Sequence, residues 1–449
     1  MVAGHSPAPQ PGADTISPAV TPSASNPLPF ADARRVVEEK ARGLHPTAEE
    51  VVPLLASCGR VLAEAVAADR DFPPFARATR DGYAVRSADL ASLPARLAVV
   101  AEVRAGAVLP VGSPPVAAGQ AVEIMTGAPV PAGADAVVMV EYTTRSGASV
   151  EITRAASAGE NVVAAGSEAR SGDVLLQPGT RLGPAQIAVA AAVGRSQLRV
   201  HARPRVAVLA TGDELAEVSA TPGAGQIRNS NSYSLAAQVL AAGGEPLLLP
   251  IAPDEKSALR RLLEQGLRAD LLLISGGVSV GKYDLVEEVL AEFKTEFFFT
   301  GALIQPGRPV VFGVARSPSG TPESLSASGP AEGGRATLFF GLPGNPISTL
   351  VTFELFVRPV LDALCGAPPA PLIFPKARLR SEVKTKTGLT RFLPAHLSGE
   401  QGVAEVELVR WQGSGDLAAA SRANCYLVVP PDRERIPAGE IVAVMLPCS

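Results

Sequence analysis

The sequence predicts a multidomain chain built around an α/β domain with a mostly parallel sheet and flanked by β-rich segments. Three observations carry this. Between residues 203 and 364, apolar runs such as RVAVLA, EPLLLPI, ADLLLISGG and TLFFGLPG alternate with helical patterns. Continuous apolar strands of this kind belong to parallel sheets covered on both faces. The length of 449 residues exceeds one compact core, since at about 150 residues per domain it suggests about three. Glycine (42) and proline (41) make up almost a fifth of the chain, against about 12% in average usage. With no collagen period, this calls for many turns and short elements.

The elements follow in order. Residues 1–27 are rich in Pro, Ala, Ser and Gly and read as a disordered tail. In 29–44, Ala33, Val36, Val37 and Ala41 recur at helical spacing. Residues 45–66 read as a strand or turn, then a helix, then a short strand. A Pro-rich loop (71–85) ends in Asp-Gly-Tyr, and short apolar runs split by Gly and Pro make 96–155 a small all-β unit. Residues 160–202 hold turns and one Ala-rich helix at 184–193. Helices are then expected at 230–242, 254–268, 284–293 and 346–364, between the apolar strands. Residues 316–336 read as a low-complexity insertion, and 370–449 as a final β unit. There is no tandem repeat.

Composition excludes several classes. Forty basic and 44 acidic residues give a net charge of −4, which disfavours a basic nucleic-acid binder. Cys58, Cys365, Cys425 and Cys448 are far apart, as are His5, His45, His201 and His396. Neither a disulfide framework nor a zinc spacing results. The N-terminus lacks the basic and apolar regions of a signal peptide, and no run approaches the ~18 apolar residues of a membrane helix. A soluble, cytoplasmic protein is expected.

Three loops that follow apolar strands are candidates for chemistry. They are Thr211, Gly212, Asp213 and Glu214; the run from Ser275, Gly276 and Gly277 through Ser279 to Asp284; and Pro343, Gly344, Asn345, Pro346 and Ser348. In a doubly wound sheet such loops gather at the carboxyl edge, where ligands bind. Gly-rich backbone and helix N-termini suit phosphate. Plain turn chemistry would explain any one loop. Neither a Walker A nor a GxGxxG fingerprint is present. Asp213, Glu214, Asp270 and Asp284 would repel phosphate unless a divalent cation bridged them, and Mg²⁺ binds through one or two carboxylates plus phosphates. Asp270 could instead be a surface or cap residue, and Asp284 a helix N-cap. Arg308, in QPGRP, carries a guanidinium suited to oxyanions.

The chain resembles the molybdopterin molybdenumtransferases, the MoeA-type insertases that include the E domain of gephyrin. The resemblance rests on DGYAV (81–85), IMTGAPVPAGADAVV (124–138), TGDEL (211–215), NSNSY (229–233), SGGVSVGKYD (275–284), QPGRP (305–309), GLPGNPIS (341–348) and GSGDLAAASRAN (413–424). It implies an elongated, L-shaped subunit in a homodimer with the active site between subunits. It also implies domain bounds: an elongated linker domain (28–76 and 160–202), a small β-rich domain (77–159), a three-layer α/β/α molybdopterin-binding domain (203–367) and a C-terminal β-barrel-like domain (368–449). The implied reaction converts adenylylated molybdopterin and molybdate, with Mg²⁺, into molybdenum cofactor and AMP.

Residue roles follow from the same resemblance. Glu214, Asp270 and Asp284 match acidic active-site positions, with Glu214 and Asp284 as metal ligands. Asp81 and Thr126 would face the partner subunit's cleft, and Arg308 would act on the oxyanion. Thr211, Gly212, Asp213, Ser275, Gly276, Gly277, Ser279, Pro343, Gly344, Asn345, Pro346, Ser348, Arg391 and Ser414 would hold the pterin substrate, with Asn424 beside Ser414 on the C-terminal domain. A molybdopterin adenylyltransferase is the implied partner protein. The chain departs from the family pattern where many relatives have KPGKP, here with Gln305 and Arg308. It also carries Glu168 where many have Asp. The weakened motif leaves a non-catalytic molybdopterin carrier or scaffold as the alternative. A different phosphate-chemistry enzyme is disfavoured by the β-rich flanks.

Overall fold

The computed structural model describes residues 27–110, 112–277, 285–316 and 336–447. Two compact units result, one formed by 48–202 and the other by the rest of the chain.

The larger unit contains the α/β domain. Its strands are β1 (Arg205–Ala210), β2 (Glu245–Leu248), β3 (Leu271–Ser275), β4 (Glu296–Phe299), β5 (Val311–Arg316) and β6 (Ala336–Leu342). They lie in the order β2-β1-β3-β6-β5-β4. The first four are mutually parallel, and β5 runs antiparallel to both β6 and β4. The expected parallel sheet therefore ends in an antiparallel edge. Side chains alternate across it. Ala207, Leu209, Leu272 and Ile274 pack with Leu259, Leu263, Val286 and Val289 of the helices Lys256–Gly266 and Leu285–Ala291. Val206, Val208, Leu271 and Leu273 are buried on the other face, where the helix Asn231–Ala241 meets the helix that begins at Pro346. That last helix spans 346–364 as expected and widens to a π turn at Phe353–Val357.

The C-terminal sheet closes. Strands Thr390–Ser398, Glu405–Leu408, Lys376–Leu379, Ile441–Met445 and Cys425–Val429 pair in sequence, and the last returns to the first. Closure removes the free sheet edges. Ala377, Leu393, Val406, Leu427 and Val444 fill its interior. The two-residue strand Ile304–Gln305 of the α/β domain pairs in parallel with Thr390 and Arg391. The N-terminal helix Phe30–Arg42 also belongs to this unit. It packs on helix Arg358–Leu364, and the Leu28 N–H donates to Gly301 at 3.0 Å.

The smaller unit holds a six-stranded sheet formed by Ala136–Met139, Gly82–Val85, Gln120–Ile124, Ala95–Val103, Ser149–Ile152 and Thr143–Ser146 in that order. Beside it run two-stranded ribbons, among them Glu49–Pro53 with Gln197–His201, and the helix Pro184–Ala192. The helix expected within 45–66 is only a four-residue 3₁₀ turn, Leu54–Ser57. Pro53 precedes it, and Gly59 at φ +79° ends any helical continuation. Among the described residues, no helix is long and apolar enough to cross a membrane.

Candidate functional site

The sheet order decides where a ligand can sit. From β1 the chain moves outward to β2, then returns past β1 to β3. The switch point therefore lies between the carboxyl ends of β1 and β3, where α/β sheets open a crevice. Thr211 and Gly212 leave β1 there, Ser275 to Gly277 leave β3, and Pro343 to Asn345 leave the adjacent β6.

These loops touch. The Thr211 N–H donates to the Ser275 carbonyl at 3.0 Å, and the Gly276 N–H to the Leu342 carbonyl at 3.2 Å. Gly276 and Gly277 have φ of +91° and +62°. A Cβ on Gly276 would lie 2.6 Å from the Thr211 carbonyl oxygen, and one on Gly277 would lie 2.7 Å from Thr211 Oγ1. Only glycine combines this backbone with such close approach. Gly344 sits against Gly276, with 3.7 Å from its would-be Cβ to the Gly276 Cα.

The third loop contributes shape more than donors. Pro346 opens the helix, and Thr349 Oγ1 donates back to the Pro343 carbonyl at 2.6 Å. The Ile347 N–H, one of the free donors expected of a helix N-terminus, is taken by the Ser414 carbonyl at 2.9 Å. Ser414 thus stands next to the loop through its backbone carbonyl. Ser348, at 3% exposed, is as buried as Ser275, which is 2% exposed. Ser348 lies in the helix's first turn beneath the turn at Gly307, whose would-be Cβ lies 3.6 Å from the Ser348 carbonyl oxygen.

The acids divide. Glu214 is exposed, and its carboxylate folds back over Gly212, where a Cβ would meet Oε2 at 2.2 Å. No hydrogen bond or ion pair engages that carboxylate among the described residues. Asp213 Oδ1 accepts from the Asp254 N–H at 3.1 Å. Asp254 follows β2, because residue 252 runs alongside 211 and the Gly212 N–H donates to the Ala252 carbonyl at 3.2 Å. Its exposed side chain is therefore at the same edge. Asp270 is not. It precedes β3, five residues before Ser275, which at about 3.3 Å per residue puts it at the opposite edge of the sheet. There its Oδ2 accepts from the Arg205 N–H at 2.7 Å. The catalytic assignment of Asp270 is corrected accordingly. Ser279 and Asp284 lie outside the described residues. Among the described residues no three His, Cys, Asp or Glu side chains converge as a metal cluster.

Beside this edge, the C-terminal barrel presents Arg391, which is 7% exposed. Its Nε donates to Gln305 Oε1 at 2.8 Å, and its Nη1 to the Lys386 and Leu389 carbonyls. All three acceptors are neutral, and burial lowers the guanidinium's pKa. Arg308 is exposed, and no ion pair holds its side chain among the described residues. Asn424 is used within the barrel, bonded on both sides to the Leu397 backbone.

In the smaller unit, Asp81 Oδ1 accepts from both the N–H (2.6 Å) and the Oγ1 (2.7 Å) of Thr126. These bonds, the backbone one first, hold the Asp81 carboxyl below the usual aspartate range. Both residues are exposed. Glu168 pairs with Arg77 at 3.4 Å, again at the surface.

Two residues at the carboxyl edge were missed as site residues. Asp254 could have been found by applying the edge rule to the loop after β2 as well. Asn231 stands in NSNSY, a motif noted only for resemblance. Its Nδ2 donates to Ser275 Oγ at 2.9 Å and to the Gly344 carbonyl at 2.7 Å.

Comparison with known proteins agrees with this architecture. The family model for the MoeA N-terminal region (domain I and II) matches residues 28–194. A probable molybdopterin binding domain matches 207–363, and the MoeA C-terminal region (domain IV) matches 376–446. A molybdopterin molybdenumtransferase of Nostoc sp. is 35% identical over 403 residues, covering 88% of each chain. One of Bacillus subtilis is 33% identical over 430 residues, covering 94% of each. The crystal structure of the molybdopterin biosynthesis MoeA protein from Pyrococcus horikoshii OT3 is 30% identical and superposes with a TM-score of 0.72, over 94% of this chain and all of that one.

Proposed function

The chain belongs to the molybdopterin molybdenumtransferase family of molybdenum cofactor biosynthesis, and from that premise we propose how its own residues handle the reaction. The substrates are adenylylated molybdopterin and molybdate. The products are molybdenum cofactor and AMP. The observation that supports this most is the convergence of three strand-end loops at one switch point, with exposed carboxylates on the same edge.

In this reading the diphosphate of the adenylylated substrate lies over Gly276 and Gly277. Their lack of side chains lets the anion approach the backbone, and Ser275 supplies a hydroxyl donor. Pro343 to Asn345, braced by Thr349 and Ser414, form the facing wall. Arg308 attracts molybdate, and Arg391 adds positive charge from the barrel. Most of the rate would come from fixed donors and charges held where the anions sit.

The exposed carboxylates of Glu214 and Asp254 on neighbouring loops fit Mg²⁺, a cation that takes one or two carboxylates plus substrate phosphates. When bound, such an ion would neutralise the diphosphate charge. Asp213 serves instead to hold the Asp254 backbone in place. We assign Asp81 and Thr126 to a homodimer in which they face the partner subunit's cleft.

The test is direct. Purified chain with adenylylated molybdopterin, molybdate and Mg²⁺ should release AMP. A rate no higher than the no-protein control overturns catalysis and leaves a carrier. Sedimentation should give about twice the 46.0 kDa monomer mass. A clean monomer at micromolar concentration removes the cross-subunit assignment.

A further inference from the structure

We propose that Asn231 is a positioning residue that sets Ser275 and Gly344 for an anionic ligand. The proposal rests on the reading that this sheet edge holds the phosphates of the adenylylated substrate.

Asn231 opens the helix Asn231–Ala241 after Ser230. Its two Nδ2 protons are both committed, one to Ser275 Oγ at 2.9 Å and one to the Gly344 carbonyl at 2.7 Å. The carbonyl can only accept, so the amide orientation is determined. One side chain therefore ties the loop after β3 to the loop after β6. The Asn231 Oδ1 is buried and has no hydrogen-bond partner. An unpaired buried acceptor is costly, and the amide keeps this orientation nonetheless.

The chemistry of the two acceptors gives the reason. A serine hydroxyl has one proton and two lone pairs. By donating to Ser275 Oγ, Asn231 occupies a lone pair and leaves the Ser275 proton free for an anion. A free carbonyl beside a phosphate would repel it. By donating to the Gly344 carbonyl, Asn231 offsets that negative end. The same amide thus turns one group into a donor and quiets one acceptor.

The isosteric change Asn231→Asp reverses both effects. It keeps the shape and replaces the donor by an acceptor, so Ser275 turns its proton toward residue 231 and away from the substrate. We expect Asn231→Ala to raise the Kd for adenylylated molybdopterin by about tenfold, roughly the worth of one hydrogen bond. Asn231→Asp should raise it further, although it is the closer match in shape. With Ser275→Ala in the background, the gap between the Ala and Asp variants should narrow, because only the Gly344 carbonyl and the added carboxylate charge then separate them. The proposal is overturned if Asn231→Asp binds as well as Asn231→Ala, or if the gap between them is undiminished in the Ser275→Ala background.

Hydrogen exchange in the free protein keeps the test independent of substrate and of the Asp variant's folding. Amides of 275–277, 344 and 345 should exchange faster together in Asn231→Ala, and unchanged exchange overturns the clamp. If the wild-type chain fails to bind the adenylylated substrate, the functional reading falls, and the exchange measurement still decides the clamp.

Discussion

Asp270 and Arg205 hold β3 and β1 in register at the amino edge of the sheet. The Asp270 carboxylate accepts from the Arg205 N–H at 2.7 Å, and the Asp270 N–H donates to the Arg205 carbonyl at 2.8 Å. This is a structural use of an acid that the sequence pattern placed in the active site. Asp270→Ala should cost about 1–2 kcal/mol of stability, as loss of a charge-assisted hydrogen bond does. AMP release per folded molecule should stay within about threefold of wild type. Denaturant titration and single-turnover kinetics measure the two, and a collapse of turnover with intact stability would return Asp270 to the site.

The acids at the carboxyl edge should behave in the opposite way. Glu214→Ala removes an exposed carboxylate that bonds to no other described residue, so stability should change by less than about 0.5 kcal/mol. AMP release should fall by about a hundredfold or more, about 3 kcal/mol of barrier. Asp254→Ala should slow release by at least about tenfold and raise the Mg²⁺ concentration needed for half-maximal rate. An unchanged Mg²⁺ dependence would remove Asp254 from the cation site.

Two neighbouring glycines should respond differently to alanine. Gly276 combines φ +91° with a 2.6 Å clash to the Thr211 carbonyl. Gly276→Ala should lose about 2 kcal/mol or more in stability, together with substrate affinity. A methyl on Gly344 meets nothing nearer than 3.7 Å, so Gly344→Ala should fold normally. Thermal midpoints of the pair decide this.

Arg308 is the exposed cation of QPGRP. Arg308→Ala should raise the molybdate concentration for half-maximal rate by about tenfold, and Arg308→Lys by much less, since the charge is kept. The effect should shrink with added salt, because an exposed charge is screened. Equal molybdate dependence in all three proteins would exclude Arg308 from oxyanion binding.

Asp81 gives a pH prediction. Its folded pKa is depressed, first by the Thr126 N–H and then by the Thr126 hydroxyl. A depressed carboxyl stabilises the turn above its unfolded pKa, and that contribution is lost as pH falls through the lower folded value. The turn around 81 and 126 should therefore stay ordered to a pH below the usual aspartate range. Thr126→Val removes the hydroxyl bond and should move the Asp81 titration upward in a carboxyl NMR experiment, while Thr126→Ser should not.

Much of the site was legible because glycine and proline mark it. SGG after ADLLLIS and LPGNP after TLFFG are turns joined to apolar strands, and the strand rule alone sends them to one edge. Asp270 was misread because it stands close to Ser275 in sequence, and a strand carries such neighbours to opposite ends of a sheet. Asn231 was passed over for the converse reason. It is 44 residues from Ser275 and 113 from Gly344, and nothing local signals a bond to either. The short helix expected after residue 53 failed on local chemistry, as Pro53 and a positive-φ Gly59 leave room for only one 3₁₀ turn.

The sequence by itself determined the strand–helix alternation, the β-rich flanks and the family, since these depend on apolar periodicity and on local motifs. Tertiary structure decided which acids share the ligand edge, that Ser348 is buried, that Gln305 receives Arg391, and that Asn231 joins two loops. The physical reason is that hydrogen bonds between strand ends depend on sheet order, and sheet order is set by packing across long stretches of chain.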